Sequence, residues 1–440
     1  MKTADIKNID KSKLVFVERS GVIKDDLITT KAIGYYKDAW LRFKRNKAAF
    51  VATILIGIIL FFTIFGPYMK KYDLPKQDKI VANYFRELPP KIPVIEKLGI
   101  FNGHKTIKGR NKNYISSLPE GIVVRVIDER EVDGTVLMDV VVDYYRYHSY
   151  VQSYGDKLVN GKPDIQIRRL NKEEYEIALQ KNAVIKLIQH YPNQGIYDTQ
   201  IDLYKYALNS SADNIYFWFG TNSQGEDVFT NLWKASRISL LLAVTITVLN
   251  MIIGLILGSI MGYFGGTLDI LFERFVDILA NLPFMVILTL LVLRFGTGFS
   301  VIIFAFVFNG WISFYSTTRI QFYRYKNREY VLAARSCGAK DRRIIYKHIF
   351  PNAIGTLITS FSLAIPRFIF TESIYSFLGI INYASSTSVG RMLSEGQDKM
   401  NQHFHLILFP AILISILMLS FNLISNGLRD AFNPSLRGVE

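Results

Sequence analysis

The stretch Arg328-Glu-Tyr-Val-Leu-Ala-Ala-Arg-Ser-Cys-Gly-Ala-Lys-Asp-Arg-Arg-Ile-Ile-Tyr-Lys-His-Ile-Phe-Pro351 decides how this chain is organised. It reads as a short helix, a break at Gly338, a second, basic amphipathic helix, and a proline where an apolar segment begins. Ala333, Ala334, Gly338 and Ala339 form a low-relief surface over which a groove of another protein can close. Apolar runs lie on both sides. Phe295 to Thr318 holds 24 residues without a charge, and Asn352 to Pro366 is apolar before it meets Arg367 and Glu372. Further out, Ala48 to Met69 has 22 charge-free residues, Ile238 to Leu268 has 31 and Leu406 to Leu428 has 23. Apart from the stretch ending at Pro366, each of these exceeds the roughly 20 residues that cross a hydrocarbon core of about 30 Å. Ile278 to Leu293 is also apolar, with Asp269, Glu273, Arg274 and Asp277 just before it. The expected count is six spans.

Composition agrees. Half of the 440 residues are hydrophobic and 14% are aromatic, which excludes disorder, and a single cysteine, Cys337, excludes a disulfide-stapled secreted fold. Mean hydropathy is +0.19 although 20% of residues are charged, because the apolar residues are gathered into blocks. The net charge of +15 could suggest nucleic acid. Its location says otherwise: the first 47 residues carry 12 Lys/Arg against six acids, and Arg319 to Asn352 carries nine against two. Basic flanks beside spans stay in the cytoplasm, where they also suit anionic lipid, so no nucleic-acid partner is expected. Counting from a cytoplasmic N-terminus, the loop after helix 4 and the C-terminus both fall inside.

That topology leaves about 165 residues, Lys70 to roughly Lys234, outside between helices 1 and 2. Gly121–Ile127 and Thr135–Asp143 are β-rich, with Asp133-Gly134 as a hairpin turn between them. Asn171 is a plausible N-cap of an amphipathic helix running to about His190. The expected fold is therefore an α-helical integral membrane protein with six transmembrane helices and an inserted extracellular α/β domain. The expected divisions are a cytoplasmic segment 1–47, helix 48–69, an inserted domain 70–214 and a core 215–440 whose cytoplasmic loop is 319–352.

The quoted stretch resembles the EAA loop of ABC-transporter permease subunits, E-A-A-x3-G-x9-I-x-L-P. Ala333, Ala334, Gly338 and Pro351 match; Leu332 stands where that pattern has an acid, His348 where it has isoleucine and Phe350 where it has leucine. Trp40 to Ala48, Phe219 to Val228 followed by Arg237 to Leu240, Asp277 to Pro283, Thr371 to Gly379, Met392 to Gly396 and Phe421 to Pro434 resemble, in order, the C-type permease of oligopeptide and dipeptide importers. Asn222 and Glu226 depart from that family's G-T-D-x-x-G-R-D-V stretch. The resemblance covers about 36–73 and 215–440 and leaves out Leu74 to Asn214.

The resemblance implies a permease subunit in a bacterial cell membrane, forming half of a pathway for oligopeptides or dipeptides. It implies a second homologous permease, two cytoplasmic ATPases docked on the loop, and an extracellular lipid-anchored substrate-binding protein. ATP and Mg belong to the ATPases, in keeping with the absence here of a G-x4-G-K-[S/T] loop. The expected coupling residues are Glu329, Leu332, Ala333, Ala334, Gly338, Ala339 and Pro351, with no catalytic residue, metal or bound cofactor. Arg367 and Glu372 are candidates for the translocation path or a cross-subunit contact, since ionisable groups within spans face cavities or partners. Lying i, i+5 on a helix, about 140° apart, they are not expected to pair with each other. Asp277 is expected at the start of helix 3, His403 and His405 as exposed polar residues, and Cys337 as a small packed residue at the docking surface. The alternatives are a permease for nickel or another small solute of the same family, or a membrane-anchored receptor whose extracellular part is the functional one.

Overall fold

The computed structural model describes residues 34–69, 72, 84–159, 161–383 and 388–432; residues 1–33 of the expected N-terminal segment lie outside them. Helix α1, Tyr35–Arg45, is amphipathic and buries Ala39 and Phe43. Asn46 ends it and caps α2, Lys47–Phe65, by accepting from the Ala49 amide at 3.1 Å. The second helix is apolar all round, as suits a lipid-facing span, and a 3₁₀ turn carries it on to Tyr68.

The chain then builds two three-stranded antiparallel sheets. The first has β1 His104–Asn111, β2 Val123–Val132 and β3 Thr135–Asp143 in the order β1-β3-β2. Asp133 and Gly134 both take positive φ (50° and 73°), the two-residue turn expected between these strands. Asp143 closes the sheet and caps α3, Tyr144–Tyr154. In the second sheet β4, Arg168–Asn171, leads into α4, Lys172–Gln180, followed by β5 Val184–Tyr191 and β6 Ile196–Ile201 in the order β4-β6-β5. The expected helix from Asn171 to His190 is thus corrected. Its start is right, with Asn171 and Glu174 forming a reciprocal capping box, but Asn182 at φ 51° turns the chain and the next eight residues pair with β6. Long-range pairing overrides local helical spacing there.

Asp227 caps α5, Val228–Phe264, whose 37 residues exceed a membrane span. Gly265 and Gly266, at φ 68° and 73°, reverse the chain into α6, Gly266–Ala280. Pro283 separates α6 from α7, Phe284–Phe295, and the two helices bend by 71°. The span expected over Ile238–Leu268 is helical in α5 as far as Phe264, whereas the one expected over Ile278–Leu293 is broken between α6 and α7. Asp277 consequently lies in the last turn of α6, exposed and paired with Arg274 at 3.1 Å, rather than at a helix start. Next come α8, Phe299–Tyr325, and α9, Glu329–Ser336. After these a continuous helical stretch, Asp341–Phe377, ends in α10, Phe350–Phe377; α11 is Val389–Asp398 and α12 is His405–Phe432. Among the described residues five helices are long and apolar enough to cross a membrane, and the bent pair α6–α7 makes a sixth span if counted as one.

Close approach of α5 and α8 relies on Gly254, Gly258 and Gly262, spaced four apart on one face. A Cβ at these positions would lie 2.5 Å from Phe314, 2.6 Å from the Tyr315 carbonyl and 2.7 Å from the Arg319 carbonyl. The sheet-bearing segment sits on the end of this bundle. The Thr221 hydroxyl donates to the Phe85 carbonyl at 2.5 Å and accepts from the Leu88 amide at 2.8 Å, while Phe219 stacks on Phe409 of α12 at 3.9 Å.

Candidate functional site

The quoted stretch forms a helical hairpin. In α9 Val331 is fully buried against Tyr263, Phe322, Ile344 and Ile349, which fixes the other face outward. That outer face presents Glu329, Tyr330, Leu332 and Ala333, with Ala334 and Ala339 half-buried beside it. Gly338, at φ 79°, makes the turn, and a Cβ added there would meet no atom of this chain within 4 Å. Cys337, beside the turn, is exposed. The second arm departs from the expected separate helix and span. Asp341–Arg343 passes through a π-turn, Ile344–Ile349, straight into α10. Pro351 lacks an amide proton and its ring crowds the carbonyl four residues back, so a widened turn accommodates it, and the Asn352 side chain donates to the His348 carbonyl at 2.7 Å.

Polar contacts fasten this hairpin to the bundle. The Tyr263 hydroxyl, at the end of α5, donates to Asp341 at 2.5 Å and accepts from Arg335 at 3.2 Å. One helix layer deeper, Arg319 near the end of α8 grips the carboxylate of Asp269 on α6 and lies 3.4 Å from Glu273; Tyr323 donates to Asp269 and Tyr315 to Glu273. None of Tyr263, Asp269 or Arg319 was singled out from sequence as a site residue. A basic residue closing the charge-free run and three acids beside a glycine turn were the available signal.

Between α8 and α10 lies a cavity of about 480 Å³ lined by Asn309, Ser313, Thr317, Ser360 and Arg367 among others. Asn309, Ser313 and Thr317 recur every four residues, so they form one polar stripe on α8. Arg367 opens onto this cavity, whereas Glu372 is buried elsewhere. Ser376 donates to Glu372 at 2.9 Å, and Ser239 of α5 and Tyr383 each donate at 3.3 Å. Glu372 therefore holds α5, α10 and the segment before α11 together, and it is not paired with Arg367.

His403 and His405 are corrected from exposed to buried. His403 Nε2 lies 2.9 Å from Glu87, which Lys399 also contacts, and His405 faces the Thr221 carbonyl at 3.4 Å. They join the sheet-bearing segment to the bundle. Among the described residues no group of three His, Cys, Asp or Glu side chains is arranged to hold a metal ion.

Residues 254–438 match the binding-protein-dependent transport system inner membrane component family, and residues 34–90 match the N-terminal transmembrane domain of oligopeptide transport permease C. The dipeptide transport system permease protein DppC of Bacillus subtilis is 40% identical over 231 residues, 52% of this chain and 71% of that protein. This chain is an oligopeptide/dipeptide ABC-transporter permease. The oligopeptide transport system permease protein OppC of the same organism is 40% identical over 220 residues, covering 50% of this permease and 72% of its own length. DppC of Lactococcus lactis is 24% identical over 434 residues, 98% of each chain. The sheet-bearing segment of this permease therefore has a counterpart of similar length in that relative.

Proposed function

We propose that this permease forms half of the translocation pathway of an ATP-driven importer of oligopeptides or dipeptides. The observation that carries the reading is the hairpin: it turns Tyr330, Leu332, Ala333 and Gly338 outward, and its second arm is continuous with the helix that walls the polar cavity. Movement imposed at Glu329, Leu332, Ala333, Ala334, Gly338 and Ala339 reaches Arg367 through one helical stretch that contains Pro351. Two ATPases supply the movement, binding ATP and Mg themselves, and a second permease closes the cavity from the other side. Both termini and the hairpin are cytoplasmic, as their basic flanks require. The sheet-bearing segment is external, where a lipid-anchored binding protein delivers peptide. The peptide transport after which the Bacillus and Lactococcus relatives are named supports peptide as cargo.

The test is purification of the tagged chain from its native membrane in mild detergent. Recovery with a second permease, phosphate-loop ATPases and a lipoprotein supports the assembly. Recovery alone, even after crosslinking, overturns it.

A further inference from the structure

Lys91 is 5% exposed, yet among the described residues no carboxylate stands within ion-pairing distance of its ammonium. Its contacts are the Asp213 carbonyl at 3.0 Å and the faces of Tyr145 and Tyr216, with ring centres at 5.3 and 4.9 Å. A buried cation normally has a counter-charge, because removing it from water is costly. One carbonyl uses one of three donors, and the cation–π contacts offset only part of the desolvation. The side chain lies on the wall of a cavity of about 390 Å³ in the sheet-bearing segment.

The rest of that wall carries both signs. Lys97 and Arg146 add positive charge, and Glu96, Asp143 and Asp213 add negative charge. Asp213 is engaged by Arg146 at 2.6 Å, and Asp143 caps α3. Glu96 accepts one hydrogen bond, from the Tyr216 hydroxyl at 3.3 Å, which leaves its carboxylate with lone pairs to offer. The cavity thus sets a cation short of a partner beside a carboxylate with spare capacity, in a volume typical of small-ligand sites.

We propose that this cavity binds a short peptide with free termini, its α-carboxylate on Lys91 and its α-ammonium on Glu96. The peptide identity rests on the importer reading; the demand for a zwitterion rests on the cavity alone. The site lies in the sheet-bearing segment, and it is separate from the cavity at Arg367. It gives the permease a holding place for cargo outside the bundle.

Calorimetry on the purified full chain in detergent tests this with trialanine, trialanine amide and N-acetyl-trialanine. Trialanine binds, and capping either end weakens binding at least about tenfold, the scale of one lost charge-assisted contact. Lys91→Met makes the acid and the amide bind alike. Glu96→Gln, which keeps the acceptor for Tyr216, makes the free and acetylated peptides alike; each charge then matters only to its own terminus. No trialanine binding, equal binding of all three ligands to the parent chain, or unchanged preferences in both variants overturns the site. So does loss in Lys91→Met of capture of the purified binding protein without any loss of peptide binding. Because the capped-ligand comparison uses the unaltered chain, a misfolded variant cannot obscure the result. Normal peptide uptake by the whole assembly alongside a negative binding result discards this site and leaves the importer standing.

Discussion

Asp269 on α6 and Arg319 on α8 form a two-pronged ion pair, Nε to Oδ1 at 2.6 Å and Nη2 to Oδ2 at 2.8 Å, with the Asp269 side chain almost wholly buried. Such a pair fixes two planes as well as a distance, which suits a joint between rigid helices. Breaking it from one side leaves a buried charge behind. Arg319→Met should therefore cost about 3 kcal/mol, seen as a lower thermal midpoint in detergent, whereas the double change with Asp269→Leu should recover much of the loss. Equal destabilisation by the single and double variants would show that the pair does not hold the joint.

Gly338 separates two effects of substitution. Any side chain there must adopt φ 79° at a cost of roughly 1 kcal/mol, but its Cβ meets none of this chain's own atoms. Gly338→Ala should therefore keep most peptide uptake, while Gly338→Arg abolishes it with membrane insertion intact, because only arginine adds bulk and charge to the outward face. Uptake by the arginine variant within twofold of normal would remove the coupling role, as would equal loss in both variants.

For Glu372 the three donating hydroxyls predict a structural role. Glu372→Gln keeps an acceptor for them and should leave assembly and uptake near normal. Glu372→Ala leaves Ser239, Ser376 and Tyr383 without their acceptor and should cost about 3 kcal/mol of stability. A glutamine variant that assembles normally but transports nothing would instead put the charge in the pathway.

Acid should weaken the sheet-bearing segment. Burial, helped by the nearby charge of Lys105, pushes His148 down to about 4. In the unfolded chain it takes a proton near its ordinary value of about 6.5. Its contribution is complete above about pH 6.5 and is lost as pH falls towards 4. His148→Gln, which keeps an acceptor for the Tyr204 hydroxyl, should flatten part of the fall in thermal midpoint between pH 7 and 5. An unchanged slope would mean that this histidine is protonated in the folded state.

The spans were legible because charge-free length is a local property: Ala48–Met69 is helical as far as Tyr68, and Leu406–Leu428 falls within α12. The hairpin was legible for the same reason, since Gly338 and Pro351 act on their own neighbours. What escaped was non-local. β5 reads as helix until β6 pairs with it, and Arg319 finds Asp269 across 50 residues. His403 looks like a surface residue until Glu87, in the segment before the first sheet, reaches it. Of the candidate path residues, Arg367 lines the polar cavity and Glu372 does not, a division that helical spacing could state only as an angle.

The unbroken helix from Asp341 to Phe377 works as a lever. At 1.5 Å per residue it is about 55 Å long, and if Glu372's clamp is its pivot, the hairpin end lies about 46 Å from that pivot and Arg367 only about 7 Å. The ratio is about six to one. On the coupling reading proposed above, a swing of about 6 Å at the hairpin would arrive at the cavity wall as about 1 Å, with correspondingly greater force. Such a lever trades travel for leverage.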